Sequence, residues 1–155
     1  NINNPNDANA LGIGMVHQHF MLIPSFTVAQ NVVLGAEPKK ANGFIDMDKA
    51  NQITNELAKK YKFDEINATD LVSDLTVSAK QKVEILKTLY RKAEVIILDE
   101  PTAGLDPKGR DELFSQIKRL YEKNNITIVT IIPIFQTLFK LFLFLPLLLP
   151  FGSSL

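Results

Sequence analysis

Hydrophobic and polar positions along the chain change rhythm several times, and each rhythm predicts an element. A short apolar run, "ALGIGMVHQ", follows a polar Asn/Asp/Pro stretch and reads as a strand over Ala10 to Gln18. In "SFTVAQNVVLG", Thr27 is a helix N-cap candidate, Val28, Val32 and Leu34 form an apolar side, and Gly35 ends the segment. Pro38 to Gly43 reads as a turn. From Asp46 to Tyr61, Ala50, Ile53, Leu57 and Tyr61 recur at helical spacing, an amphipathic helix. "DLVSDLTVSAKQ" then reads as a loop leading into a helix over about Lys80 to Arg91, with Val83, Leu86, Leu89 and Tyr90 inside and Lys80, Lys82, Glu84 and Lys87 outside.

The next run, Val95 to Leu98, has no alternation, as expected for a strand covered on both faces of a parallel sheet. A helix follows, with Asp106 as N-cap, Pro107 at its first position, and Leu113, Phe114, Ile117, Leu120 and Tyr121 inward. "NITIVTII" is a further strand. Strand, helical stretch, then strand–helix–strand predicts an α/β fold with a helical insertion between two sheet strands.

One discontinuity stands outside these rhythms. After Ile131 the chain reads "IPIFQTLFKLFLFLPLLLPFGSSL", and its single charge is Lys140. Residues 131–155 are therefore set apart from 1–130 as an aberrant apolar tail. Three readings stay open for it. A frameshift near Ile131 would end periodicity and charge at one point. A membrane-seeking segment would have roughly the right length, but Pro133, Pro146, Pro150 and Lys140 count against it. A buried element of the fold is the third.

Composition narrows the function classes. The 155 residues carry a formal net charge of zero with both signs interspersed, which argues against a nucleic-acid binder working through a broad basic face. There is no cysteine, which excludes disulfides and Cys-based zinc or redox sites. The opening "NINNPNDANA" lacks the basic and apolar regions of a signal peptide, so a cytoplasmic protein is expected.

The candidate chemistry lies at the end of the second strand. "VIILDEPTAGLDP" runs four aliphatic residues into Asp99 and Glu100. Ligands of open parallel sheets bind at the carboxyl ends of the strands. A carboxylate there can serve a Mg²⁺ ion or its water shell, and a neighbouring one can take a proton from water. The same pair could also merely end a strand and start a turn. His17 and His19 flank Gln18 but have no third ligand near them in sequence, so they are not read as a metal pair.

Three stretches together resemble the ABC-type ATPases. "LDEPTAGLDP" is similar to the family's magnesium strand and D-loop, "VHQHF" to its Q-loop, and "LTVSA", Leu75 to Ala79, stands in the place of its signature, commonly LSGGQ. "LGIGMVHQHFMLIPSFTVAQNVVLGAEP" and "QKVEILKTLYRKAEVIILDEPTA" look most like ATP-binding subunits of nucleoside or simple-sugar importers. The resemblance covers about Asp7 to Thr130 and implies part of a P-loop NTPase fold, with the helical subdomain over about 26–92 and the catalytic strand and D-loop over 95–107.

It further implies ATP and Mg²⁺ as cofactors. Asp99 would hold the metal through water, Glu100 would act as base, and Gln18 would contact metal and attacking water. Thr76 and Ser78 would face a partner's γ-phosphate and Asp106 would lie at a dimer seam. Implied partners are a second ATPase subunit or domain and an integral-membrane permease docking at about Phe26 to Leu34, with no nucleic acid. The implied location is the cytoplasmic face of the cell membrane.

Two family features are missing from the sequence. A G-x-x-x-x-G-K-[ST] phosphate cradle does not occur, since "GIG" at Gly12 to Gly14 has no Lys-Ser/Thr after it. Pro133 stands where a switch histidine is expected. In the signature, Ser78 replaces a glycine and Ala79 lacks the usual amide. These departures predict a fragment starting after the cradle, with an alternative as a non-catalytic remnant that acts only by binding partners.

Overall fold

The computed structural model describes residue 2 and residues 4–131; the apolar segment 132–155, with the three readings given above, lies outside the described residues. Three short strands form one parallel sheet in the order β1–β2–β3: β1 is Ile13–Val16, β2 is Val95–Asp99 and β3 is Thr127–Ile131. The α/β class and the helical insertion between the first two strands are as expected. The polar Asn/Asp/Pro stretch before β1 contains a short helix, α1 (Pro5–Ala10), and β1 is shorter than the expected Ala10 to Gln18. Gly12 turns the chain between them at φ +72°, a left-handed conformation that glycine adopts without a Cβ clash. Its carbonyl accepts from the N–H groups of both Glu94 and Val95, fixing where pairing with β2 begins.

Four helices follow β1 in sequence. The first, α2 (Val28–Val33), starts with a full capping box: Thr27 Oγ1 accepts from Gln30 N, and Gln30 Oε1 accepts from Thr27 N. Val28, Ala29, Asn31, Val32 and Val33 are all buried, while Phe26, Thr27, Gln30 and Leu34 of the stretch expected to dock a permease are half-buried. Next, α3 (Met47–Tyr61) runs from the Asp46 cap to Lys62 in the left-handed region, burying Ala50, Thr54, Ala58 and Tyr61. Then α4 (Val77–Tyr90) packs on both α2 and α3. Between β2 and β3, α5 (Pro107–Asn124) is capped by Asp106 Oδ1 on Gly109 N at 2.9 Å, with Pro107 at its start as predicted. A Cβ at Gly109 would lie 2.8 Å from Asp106 Oδ1, so a side chain there would push the capping carboxylate aside.

Three expectations about the helices are corrected. First, α4 begins at Val77 and not at Lys80, because Thr76 Oγ1 accepts from Ala79 N and nucleates the helix one turn earlier. Second, Lys82 and Glu84 are not on the outer face: they are 2% and 4% exposed. A buried charge persists only when paired, and both are. Lys82 Nζ bonds Glu65 and, at 2.6 Å, Glu112 of α5, while Glu84 accepts from Met21 N at 2.6 Å. Third, Phe114 and Tyr121 of α5 point outward, because Leu113, Gln116 and Leu120 take the inner stripe.

The core therefore gathers α2, α3 and α4 around Val28, Val32, Phe63, Val83 and Leu86, and continues into one face of the sheet through Val16, Ile96 and Leu98. Gly14 lets α4 approach that face; a Cβ there would lie 2.9 Å from Thr88 Cβ. The opposite face is uncovered among the described residues, with Met15, Val129 and Ile131 exposed and Val95 and Ile97 half-buried. Of the coverage on both faces expected for Val95 to Leu98, the described residues supply one face.

Candidate functional site

Parallel register assembles the site. Val16 pairs with Leu98 and Asp99 pairs with Ile131, so the chain leaves β1 and β2 side by side at their carboxyl ends. Two residues beyond the Val16–Leu98 pair stand Gln18 and Glu100, and Gln18 Nε2 donates to Glu100 Oε2 at 3.0 Å. Asp99, the last residue of β2, is half-buried, as is Glu100.

Glu100 is held in an unusual conformation. Its φ is +45°, the left-handed region that a residue with a Cβ rarely adopts. Its N–H donates to Ile131 O at 3.1 Å and its carbonyl accepts from Ala103 N at 3.0 Å, so the end of β3 and the following turn both fix it. Strain held by surrounding structure is a frequent property of functional positions.

The donor set suits a hard cation. Two carboxylates and a side-chain amide offer oxygen, the ligand type magnesium takes, and magnesium retains waters, so one or two protein ligands suffice. His17 and His19 are both exposed, and no cluster of three or more His, Cys, Asp or Glu residues occurs among the described residues.

Thr76, Ser78 and Asp106 lie apart from that pair but near one another. They line one open cleft together with Gly104, Lys108 and Glu112. Thr76 Oγ1 is engaged in capping α4 and Asp106 Oδ1 in capping α5. Ser78 Oγ is buried without a hydrogen-bond partner among the described residues. Of these three hydroxyls and carboxylates, the two exposed residues thus already serve helix ends.

Several residues that support the site were not singled out from the sequence. Asn31, fully buried, bonds both the N–H (2.7 Å) and the carbonyl (3.1 Å) of Ile23 and the carbonyl of Thr27. It fixes the segment leading from Gln18 to α2. Gln81, 6% exposed, donates to the carbonyl of Pro101, directly after Glu100. The signal available beforehand was a polar residue in the middle of an apolar helix stripe.

The fold and this strand-end constellation define an ATP-binding cassette architecture, and comparison with known proteins agrees. A family model described as ABC transporter matches residues 4–103, and the chain belongs to that family. It is 49% identical over 122 residues to the guanosine import ATP-binding protein NupO of Bacillus subtilis, covering 79% of this chain and 24% of that protein. It is 44% identical over 131 residues to the nucleoside import ATP-binding protein NupA of Lactococcus lactis, covering 84% and 26%. Among solved structures, cbiO1 of Clostridium perfringens, part of the transporter complex cbiONQ, superposes with a TM-score of 0.64 at 28% identity, over 82% of this chain and 50% of that one. The cassette MJ0796, solved as a post-hydrolysis dimer with ADP and Pi, gives 0.61 at 27%, over 83% and 56%. The chain thus spans about a quarter of the curated relatives it matches and about half of these solved chains.

Proposed function

We propose that this chain carries the hydrolytic strand end of an ATP-driven importer of nucleosides or simple sugars. The observation that supports this most is the Gln18–Glu100 contact at the carboxyl ends of adjacent parallel strands, with Asp99 beside it. In this reading Glu100 takes the proton of a water that Gln18 orients, and Asp99 holds magnesium through its water shell. Magnesium, when bound, supplies charge stabilisation for the phosphates. The sequence holds no G-x-x-x-x-G-K-[ST] stretch. The lysine and backbone donors for the phosphates have to come from other residues, and these residues alone are expected to bind ATP negligibly. Residues 1–130 form the partial cassette domain in this reading. The partners are a second ATPase subunit or domain and a membrane permease, at the cytoplasmic face of the membrane.

A second reading, a partner-binding remnant without hydrolysis, is favoured by one observation: Thr76 and Asp106 already cap their helices and Ser78 Oγ is buried. A chimera separates the two. The stretch of the Bacillus subtilis guanosine importer ATPase that matches this chain is replaced by this chain's residues, and Mg²⁺-dependent ATP hydrolysis is measured with and without Glu100→Gln. Hydrolysis in the chimera that falls by roughly a hundredfold or more in the variant, the scale of a lost general base, supports the first reading. A chimera that binds ATP and hydrolyses none, or hydrolyses equally with Glu100→Gln, overturns it.

A further inference from the structure

Among the polar side chains that helix α4 buries, Gln81 and Glu84 lie one turn apart, and each reaches toward one half of the Gln18–Glu100 contact. Gln81 donates to the carbonyl of Pro101, the residue after Glu100. Glu84 accepts from the N–H of Met21, three residues after Gln18. Lys87 completes the second grip: its Nζ donates to the Met21 carbonyl at 3.1 Å and lies 3.9 Å from Glu84, offsetting that carboxylate's charge. Positions i and i+3 share one face of a helix, so a single rigid element holds both loops. Burying Gln81 and Glu84 is unfavourable unless their partners are kept in place.

We propose that Gln81 and Glu84 are positioning residues that set the Gln18–Glu100 contact through Pro101 and Met21. The inference builds on the reading of Gln18 and Glu100 as a working pair. Strand register brings the two backbones side by side, and Ile131 O and Ala103 N hold the Glu100 backbone, but Gln18 lies beyond the last β1–β2 pair. The grips from α4 add a hold on the segment after each residue. Because Thr76 caps the start of α4, any tilt of this helix moves the Thr76–Ser78 turn and the Gln18–Glu100 contact together.

The test reads the contact itself and not turnover. In ¹⁵N-labelled full chain, the Gln18 side-chain amide is identified by its loss in Gln18→Glu, and its unbonded position is taken from Glu100→Ala. Gln81→Met and Glu84→Met keep side-chain bulk and remove the polar grip. Each is expected to move the Gln18 amide at least halfway to its unbonded position, while Ile96 and Leu98 backbone amides stay in place. Glu84→Gln, which retains an acceptor for Met21 N–H, is expected to keep the original position. General loosening would not produce that split. Should a methionine variant fail to fold, Lys87→Met removes the second hold on Met21 alone and is expected to shift the same resonance. No shift of Gln18 in the folded variants, when Glu100→Ala does shift it, overturns the positioning role alone. No shift with Glu100→Ala means the pair is not formed, which overturns this inference and the reading of the site with it.

Discussion

Gln18 and Glu100 meet through a 3.0 Å hydrogen bond although 82 positions separate them in the chain, and Glu100 makes that contact from a left-handed backbone. The conformation has a measurable cost. Glu100→Gly and Glu100→Ala both remove the carboxylate and its bond to Gln18, so their difference isolates the backbone. A left-handed residue with a Cβ costs roughly 1–2 kcal/mol, less the extra chain entropy of glycine, about 0.5–1 kcal/mol. Urea unfolding is expected to find the glycine variant at least as stable as the alanine variant, by up to about 1.5 kcal/mol. An alanine variant that is the more stable of the two would show that φ at this position is not positive in solution.

The Lys82 cluster gives a prediction in which two effects compete. Its ammonium is buried, while Glu65 and Glu112 have side chains 44% and 47% exposed. Removing the lysine lets both carboxylates return to water; removing both carboxylates strands a buried cation. Lys82→Met is therefore expected to cost less than about 1 kcal/mol, and Glu65→Ala with Glu112→Ala roughly 3 kcal/mol. Thermal or urea unfolding of both variants checks the order, and the opposite order would place the cluster in solvent.

Asn31 is fully buried and makes three side-chain hydrogen bonds to the backbone at Ile23 and Thr27. Asn31→Leu leaves the Ile23 N–H without its acceptor, while the Ile23 and Thr27 carbonyls keep the backbone N–H groups of Phe26 and Asn31, and is expected to destabilise the chain by roughly 1–3 kcal/mol. Hydrogen exchange at Ile23 N–H should accelerate more than at Leu86 N–H in the core of α4. Uniform acceleration would mean that Asn31 serves general packing only.

Phe114 and Tyr121 look like core residues by spacing, yet are 46% and 64% exposed. Phe114→Ser and Tyr121→Lys are each expected to change stability by less than about 0.5 kcal/mol, whereas Leu113→Ala should cost roughly 2–5 kcal/mol. A large loss in the Phe114 or Tyr121 variant would show that the outer face of α5 is covered in solution.

The local signals for this fold lie close together in sequence and were legible there. Thr27 and Asp106 cap the helices they were expected to cap, because a side-chain oxygen reaches an N–H only three residues away. The aliphatic run ending in Asp99 could be read as a strand of a parallel sheet, with its ligand-bearing end identified by direction alone. Charge, however, misled where tertiary partners lay far along the chain. Lys82 and Glu84 have the polarity of a solvent face, and nothing within a few positions announces Glu112 or Met21 as partners.

The sequence by itself determined the class of fold, the helix caps at Thr27 and Asp106 and the carboxylate pair at the end of β2, since propensity, capping and periodicity act over a few residues. Only the tertiary structure decided that Gln18 touches Glu100, that α4 turns its charged residues inward, and that Phe114 and Tyr121 face out. These depend on strand register and on which helix face finds a neighbour, and both are set by packing among segments distant in the chain.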